Sequence, residues 1–258
     1  MLNALVPDHA YLRTADLPYG DGARRKLDVY QPRTPGPHPV VVFFYGGSWR
    51  GGDRGDYLFV GEALAAMGVV AILPDYRVYP DARYPDFVED AAAAVRWVVA
   101  HAGDYGGDPS RLAVMGHSAG AHIAALLALD RRFAIDASIK GFVGLAGPYS
   151  FDPLEYASTR AVFGHLPDPG IVRPVAYARR DAPPCLLLHG ADDTTVGPYN
   201  SADLAKALTA VGAPHRHIVL PDTGHVGIVL GLSAPFRNDQ IFDQTKEFVL
   251  KLGSNPIF

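Results

Sequence analysis

What this chain lacks narrows its class before any motif is read. It has one cysteine, Cys185, in 258 residues, so no internal disulfide can form. Apolar neighbours on both sides make Cys185 a buried strand residue with an inert thiol. No apolar run approaches ~18 residues, so no segment reads as a membrane span. Residues Met1 to Pro7 have neither a charged start nor a long apolar stretch, and they do not read as a secretory leader. Charge is nearly balanced, with 23 Lys and Arg against 27 Asp and Glu for a net of −4. That leaves no basic field for nucleic acid or an anionic membrane. These absences predict an unexported, cytoplasmic protein with neither nucleic acid nor membrane as partner. Internal repeats and shifts in composition are missing too, so one domain over residues 1–258 is expected, large enough for a sizeable core.

What is present is an alternation of strand-like and helix-like stretches. Short strand pieces at His9 to Thr14 and Lys26 to Tyr30 flank an Asp21-Gly22 turn. Leu27, Asp28 and Val29 alternate as a half-exposed edge strand would. Val40 to Tyr45, Val69 to Leu73, Leu112 to Met115, Gly141 to Ala146 and Cys185 to His189 are continuous apolar runs, the pattern of strands buried on both faces. His217 to Leu220 reads as a last strand. Helical spacing appears over Tyr57 to Ala66, Asp86 to Ala100, the run ending at Leu129, Ser201 to Val211 and Asp239 to Leu252. Ser201 is the expected N-cap and Gly212 the terminator of the fourth. Gly103 to Ser110 reads as a turn. Residues 147–184, rich in proline, read as a small insertion covering part of a site mouth. The pattern predicts an α/β fold with a mostly parallel central sheet and helices on both faces.

One junction organises the rest. Leu112 to Met115 leads into Gly116-His117-Ser118-Ala119-Gly120, and an Ala/Leu-rich helix follows. A Ser between two glycines at a strand-to-helix turn fits a nucleophile elbow, where side chains at the glycine positions would collide with strand and helix. A serine hydroxyl then needs a base, a carboxylate to orient that base, and N–H donors for the developing oxyanion. Asp192 or Asp193, in the turn after Leu188-His189-Gly190, supplies the carboxylate. His225, in the small-residue loop Thr223-Gly224-His225-Val226-Gly227, is placed to be the base. His117 and His122 flank the elbow and are expected to pack or hydrogen-bond there. His215 and His217 share one strand face, but no carboxylate or cysteine accompanies them, so no metal and no cofactor is expected.

These motifs, in this order, resemble the α/β-hydrolase-fold serine esterases, close to the hormone-sensitive-lipase-like carboxylesterases and the related arylformamidases. The resemblance runs from about Val40 to the C-terminus. The family's His-Gly-Gly-x-Trp corresponds to Tyr45-Gly46-Gly47-Ser48-Trp49, its Gly-x-Ser-Ala-Gly to Gly116–Gly120, and its Tyr-Arg segment to Tyr76-Arg77. Its His-Gly-x-x-Asp-x-x-Val falls on His189, Gly190, Asp193 and Val196, which selects Asp193 over Asp192. Its Gly-His falls on Gly224-His225. The resemblance implies Ser118, Asp193 and His225 as catalytic residues and the N–H groups of Gly47, Ser48 and Ala119 as the oxyanion hole, with Gly46 allowing close approach. Tyr45 replaces the family's His, a position that buttresses the oxyanion loop.

The implied partners are a small ester, of short-acyl or aryl type given the short insertion, and water as second substrate. A homodimer is compatible with the sequence. The runner-up is formamide hydrolysis of the N-formylkynurenine type, with Trp49 either stacking on an aromatic substrate or simply packing. A non-catalytic binding protein on the same fold is the reading from a different class. Phe142, Tyr149, Phe151, Tyr156 and Phe163 are candidates either for the acyl pocket or for the insertion's own core.

Overall fold

The computed structural model describes residues 11–254. Its centre is one eight-stranded sheet. In chain order the strands are β1 (Tyr11–Pro18), β2 (Lys26–Pro32), β3 (His38–Phe44), β4 (Val70–Pro74), β5 (Gly107–His117), β6 (Gly141–Leu145), β7 (Cys185–Gly190) and β8 (His215–Leu220). In space they run β1-β2-β4-β3-β5-β6-β7-β8. From β4 to β8 every pairing is parallel, and the β1–β2–β4 pairings are antiparallel. The helices are α1 (Leu58–Ala66), α2 (Asp86–His101), α3 (Ala119–Leu129), α4 (Ala157–Phe163), α5 (Tyr199–Val211), α6 (Gly227–Leu230) and α7 (Asp239–Leu250). The predicted α/β architecture with a mostly parallel sheet is the observed one.

The apolar runs sit where burial on two faces demands them. Val40 to Phe44 of β3 and Leu112 to Met115 of β5 are wholly inaccessible, and the two strands pair from Val40–Leu112 to Phe44–Gly116. That register sets the loop after β3 directly beside the turn after β5. α3 is buried along its whole length, which explains its run of Ala and Leu. In parallel α/β sheets, ligand sites form beyond the carboxyl ends of the strands. The loops that follow β3, β5, β7 and β8 all emerge at that edge.

Four expectations need correction. The strand expected as a half-exposed edge is β2, which lies second from the edge beneath β1, and Asp28 is completely buried. Asp28 survives there because Arg13 and Arg54 both bind it, at 2.6 Å and 2.9 Å. The turn expected over Gly103 to Ser110 is a short helical turn, Ala102–Tyr105, and β5 already begins at Gly107, which pairs with His38. The fourth helix starts at Tyr199, so Ser201 lies inside α5 rather than capping it, and its hydroxyl donates to the Pro198 carbonyl. The last strand starts two residues earlier than expected, at His215. Within the strand read from His9, the first two positions lie outside the described residues, as does the Met1–Pro7 stretch. Among the described residues, no helix is long and apolar enough to cross a membrane.

Candidate active site

Ser118 sits at the turn between β5 and α3 with φ 55° and ψ −123°. This is a conformation that a residue with a Cβ adopts only when its surroundings over-determine it. The two flanking glycines make the turn possible. A Cβ on Gly120 would stand 2.0 Å from the Phe44 carbonyl oxygen, and one on Gly116 would stand 2.3 Å from that of Gly120. α3 therefore presses its first turn against β3 with no side chain between them. The result places the Ser118 hydroxyl above the carboxyl edge of the sheet.

The loops after β7 and β8 bring two further side chains to that point. His225 Nε2 lies 2.9 Å from Ser118 Oγ, and His225 Nδ1 lies 2.7 Å from Asp193 Oδ2. Asp192, the alternative carboxylate, is exposed in the same turn. Asp193 is held by more than His225. Its Oδ1 accepts the N–H groups of Thr195 and Val196 at 2.9 Å and 2.8 Å, and His189 Nε2 stands 3.2 Å from its Oδ2. Burial alone would push the Asp193 carboxyl up. The hydrogen bonds from His189, His225 and the Val196 N–H outweigh it and hold the group well below the usual carboxylate range. His189 is the residue whose role sequence reading missed, although its place four residues before Asp193 in a turn was a usable signal.

The two histidines beside the elbow have structural partners. His117 Nε2 lies 2.9 Å from the carbonyl oxygen of His225, which ties the loop bearing His225 to the strand that leads into Ser118. His122 Nε2 lies 2.7 Å from the Val172 carbonyl, joining α3 to the insertion. Burial lowers both to about 4, with His225 adding to the effect on His117. The sign of the consequence is definite. An unfolded chain protonates both near the ordinary histidine value, whereas the folded chain keeps both neutral down to about 4. Unfolding therefore takes up as many as two protons in that window, and stability is lost as pH falls from about 6.5 toward 4. Urea unfolding at pH 7, 6 and 5 should show a falling midpoint, and a flat profile across that range contradicts the burial argument. His215 and His217 each meet a hydroxyl of α5, Thr209 at 3.2 Å and Ser201 at 3.1 Å. Cys185 is fully buried, and burial pushes its thiol up to about 12.

The loop after β3 carries Gly47 and Ser48, two of the expected donors. Gly47, Ser48 and Trp49 have φ of 136°, 53° and 59°. Gly47 needs this freedom, since a Cβ there would lie 2.3 Å from the Gly51 carbonyl oxygen. A Cβ on Gly46 would come within 3.1 Å of the Ser118 Cβ, so the loop lies against the elbow. Among the described residues, no backbone hydrogen bond occupies the N–H groups of Gly47, Ser48 or Ala119. Ser48, Ala119 and Ser118 border a cavity of about 560 Å3, whose wall continues through Trp49, Phe151 and Tyr156. Gly47 lies outside that lining. Trp49 is only 4% exposed and is wedged edge-on against His122 and Phe163 and stacked on Phe151. The aromatic candidates divide accordingly: Phe151 and Tyr156 face the cavity, while Phe142, Tyr149 and Phe163 are core. Tyr45 is buried beneath the loop, stacked on Tyr76 at 4.7 Å, with its hydroxyl 2.9 Å from Asp75 Oδ1.

Comparison with known proteins shows what this chain is similar to. The BD-FAE family model matches residues 27–151. A probable isoprenylcysteine alpha-carbonyl methylesterase of Oryza sativa is 32% identical over 239 residues, covering 82% of this chain and 58% of its own length. Esterase LipC of Mycobacterium tuberculosis is 30% identical over 243 residues, covering 83% and 60%. The chain thus spans less than two-thirds of the length of these curated relatives. Among solved structures, apo Thermogutta terrifontis esterase 2 superposes with a TM-score of 0.78 at 25% identity, covering 96% of this chain and 97% of that one.

Proposed function

We propose that this chain, which is similar to the α/β-hydrolase-fold esterases, hydrolyses small carboxylic esters through Ser118, His225 and Asp193. The observation that carries the reading is the unbroken line from Asp193 Oδ2 to His225 Nδ1 at 2.7 Å and from His225 Nε2 to Ser118 Oγ at 2.9 Å, with Ser118 and Asp193 lining a cavity. In the first half-reaction Ser118 Oγ adds to the ester carbonyl carbon as His225 Nε2 takes its proton. The N–H groups of Gly47, Ser48 and Ala119 receive the negative oxygen. Collapse breaks the bond to the alkoxide, which leaves with the proton from His225. Water then loses a proton to His225 as its oxygen adds to the acyl carbon, the bond from that carbon to Ser118 Oγ breaks to free the acid, and His225 returns the proton to Oγ. Asp193 keeps the proton of neutral His225 on Nδ1, so that Nε2 is free to accept, and it balances the imidazolium that forms.

The cavity's modest volume and the shortness of α4, a seven-residue helix that contributes Ser158 and Thr159 to its wall, support short acyl groups over long ones. The relatives named as esterases favour esters over formamides as the substrate class. The experiment is covalent labelling. A fluorophosphonate should add one phosphonyl group, located on Ser118 by mass spectrometry of the peptide. Aryl acetate or butyrate should turn over much faster than aryl palmitate and faster than an aryl formamide. A protein that stays unmodified and inert on all of these is a binding module, and the reading is wrong.

A further inference from the structure

The loop that offers the oxyanion donors is held in a costly shape. Two consecutive residues with side chains, Ser48 and Trp49, have positive φ, and such a pair persists only under external constraint. The constraint converges on one buried side chain. Asp75, at the end of β4, takes hydrogen bonds from both ends of the loop. At the start, the Tyr45 hydroxyl is 2.9 Å from Asp75 Oδ1, and at the finish the Arg54 N–H reaches the same oxygen at 2.9 Å. The Arg54 guanidinium pairs with the other oxygen, Oδ2. Arg24 closes the circuit, reaching the Tyr45 hydroxyl at 2.9 Å and the Gly52 carbonyl at 2.6 Å. The middle of the loop is pinned separately, by the Tyr79 N–H on the Trp49 carbonyl at 2.8 Å. Asp75 is 3% exposed, and among the described residues none of its hydrogen bonds goes to Ser118, His225 or Asp193.

Building on the ester-hydrolase reading, we infer that Asp75 is a positioning residue: acting through Tyr45 and Arg54, it sets where the N–H groups of Gly47 and Ser48 point. A ground-state ester makes little use of those donors, whereas the tetrahedral adduct depends on them. Loosening one arm should therefore weaken binding of the adduct and leave binding of substrate alone.

Tyr45→Phe is the mildest test, because it removes one hydroxyl from a fully packed ring. The probe is an aryl trifluoromethyl ketone. Ser118 Oγ adds to its carbonyl carbon, the serine proton passes to His225, and the new oxyanion occupies the donor site. In Tyr45→Phe the inhibition constant of the ketone should rise about tenfold and kcat fall by a similar factor, with KM within about twofold. Hydrogen exchange in the peptide covering residues 46–54 should quicken. Arg54→Met should act in the same direction, and the double variant should fall short of the product of the two effects, because both arms end on Asp75. Asp75→Asn should reproduce the phenotype where it folds. Lower stability with ketone affinity and exchange both at the wild-type level makes Asp75 merely structural and overturns the inference, as does either readout alone staying unchanged. If the wild-type protein takes no ketone at all, the ester reading has failed. The exchange of residues 46–54 in Tyr45→Phe then decides by itself whether Asp75 tethers the loop.

Discussion

Ser118→Ala is expected to lower kcat by about 10⁴- to 10⁶-fold and leave the folded structure in place. The size follows from what the hydroxyl supplies. Without Oγ there is no atom to form the covalent acyl intermediate, and His225 Nε2, 2.9 Å away, loses the group it would deprotonate. Alanine suffers at φ 55° no more than serine does, so the unfolding free energy should stay within about 0.5 kcal/mol of the parent. Fluorophosphonate labelling must disappear at the same time. Ester turnover in Ser118→Ala within about a hundredfold of the parent would place the nucleophile elsewhere.

Asp193→Asn should cost nearly as much, about 10⁴-fold in kcat with a small change in KM, for a different reason. Asp193 Oδ1 accepts two backbone N–H groups, so an asparagine would keep its oxygen there and turn its amide toward His225. A donor facing Nδ1 forces the imidazole proton onto Nε2, and the base can no longer accept from Ser118. The same amide would stand against His189 Nε2, where the carboxylate now accepts, so stability should fall as well. The wild-type carboxylate, held far below its usual range, contributes stability that is fully present above the unfolded Asp value near 4 and lost as pH falls below it. Acid unfolding of Asp193→Asn should lack that component. A kcat within tenfold of the parent, measured on the purified variant, would remove Asp193 from the chemistry.

The motifs around the site were readable because each is local. Gly116, Ser118 and Gly120 announce a tight strand-to-helix turn in five residues, and the loops with Asp193 and His225 each follow a recognisable apolar strand. The three side chains meet because parallel strands deliver their loops to one edge of the sheet, and that geometry follows once the alternation of strands and helices is seen. What escaped was non-local. Asp28 in an alternating stretch looked like a solvent-facing residue, because its partners Arg13 and Arg54 lie 15 and 26 residues away. Alternation also could not tell an edge strand from its neighbour, so β2 was placed at the rim that β1 occupies. The early start of β5 was hidden by Gly107 to Ser110, a composition that suits a turn, although Gly107 sits in a pairing with His38. The bond from Asp75 to Tyr45 spans 30 residues and carries no local mark at all.

The antiparallel ribbon β1–β2 acquires a significance from this that its place at the rim conceals. Arg54, at the far end of the donor loop, grips Asp28 in β2 as well as Asp75, and reaches Asp16 in β1. The outermost strands thus brace the loop that carries Gly47 and Ser48 rather than merely trimming the sheet. On the proposed ester-hydrolase reading, damage to that ribbon should reach turnover by way of Arg54, with every reacting group still intact.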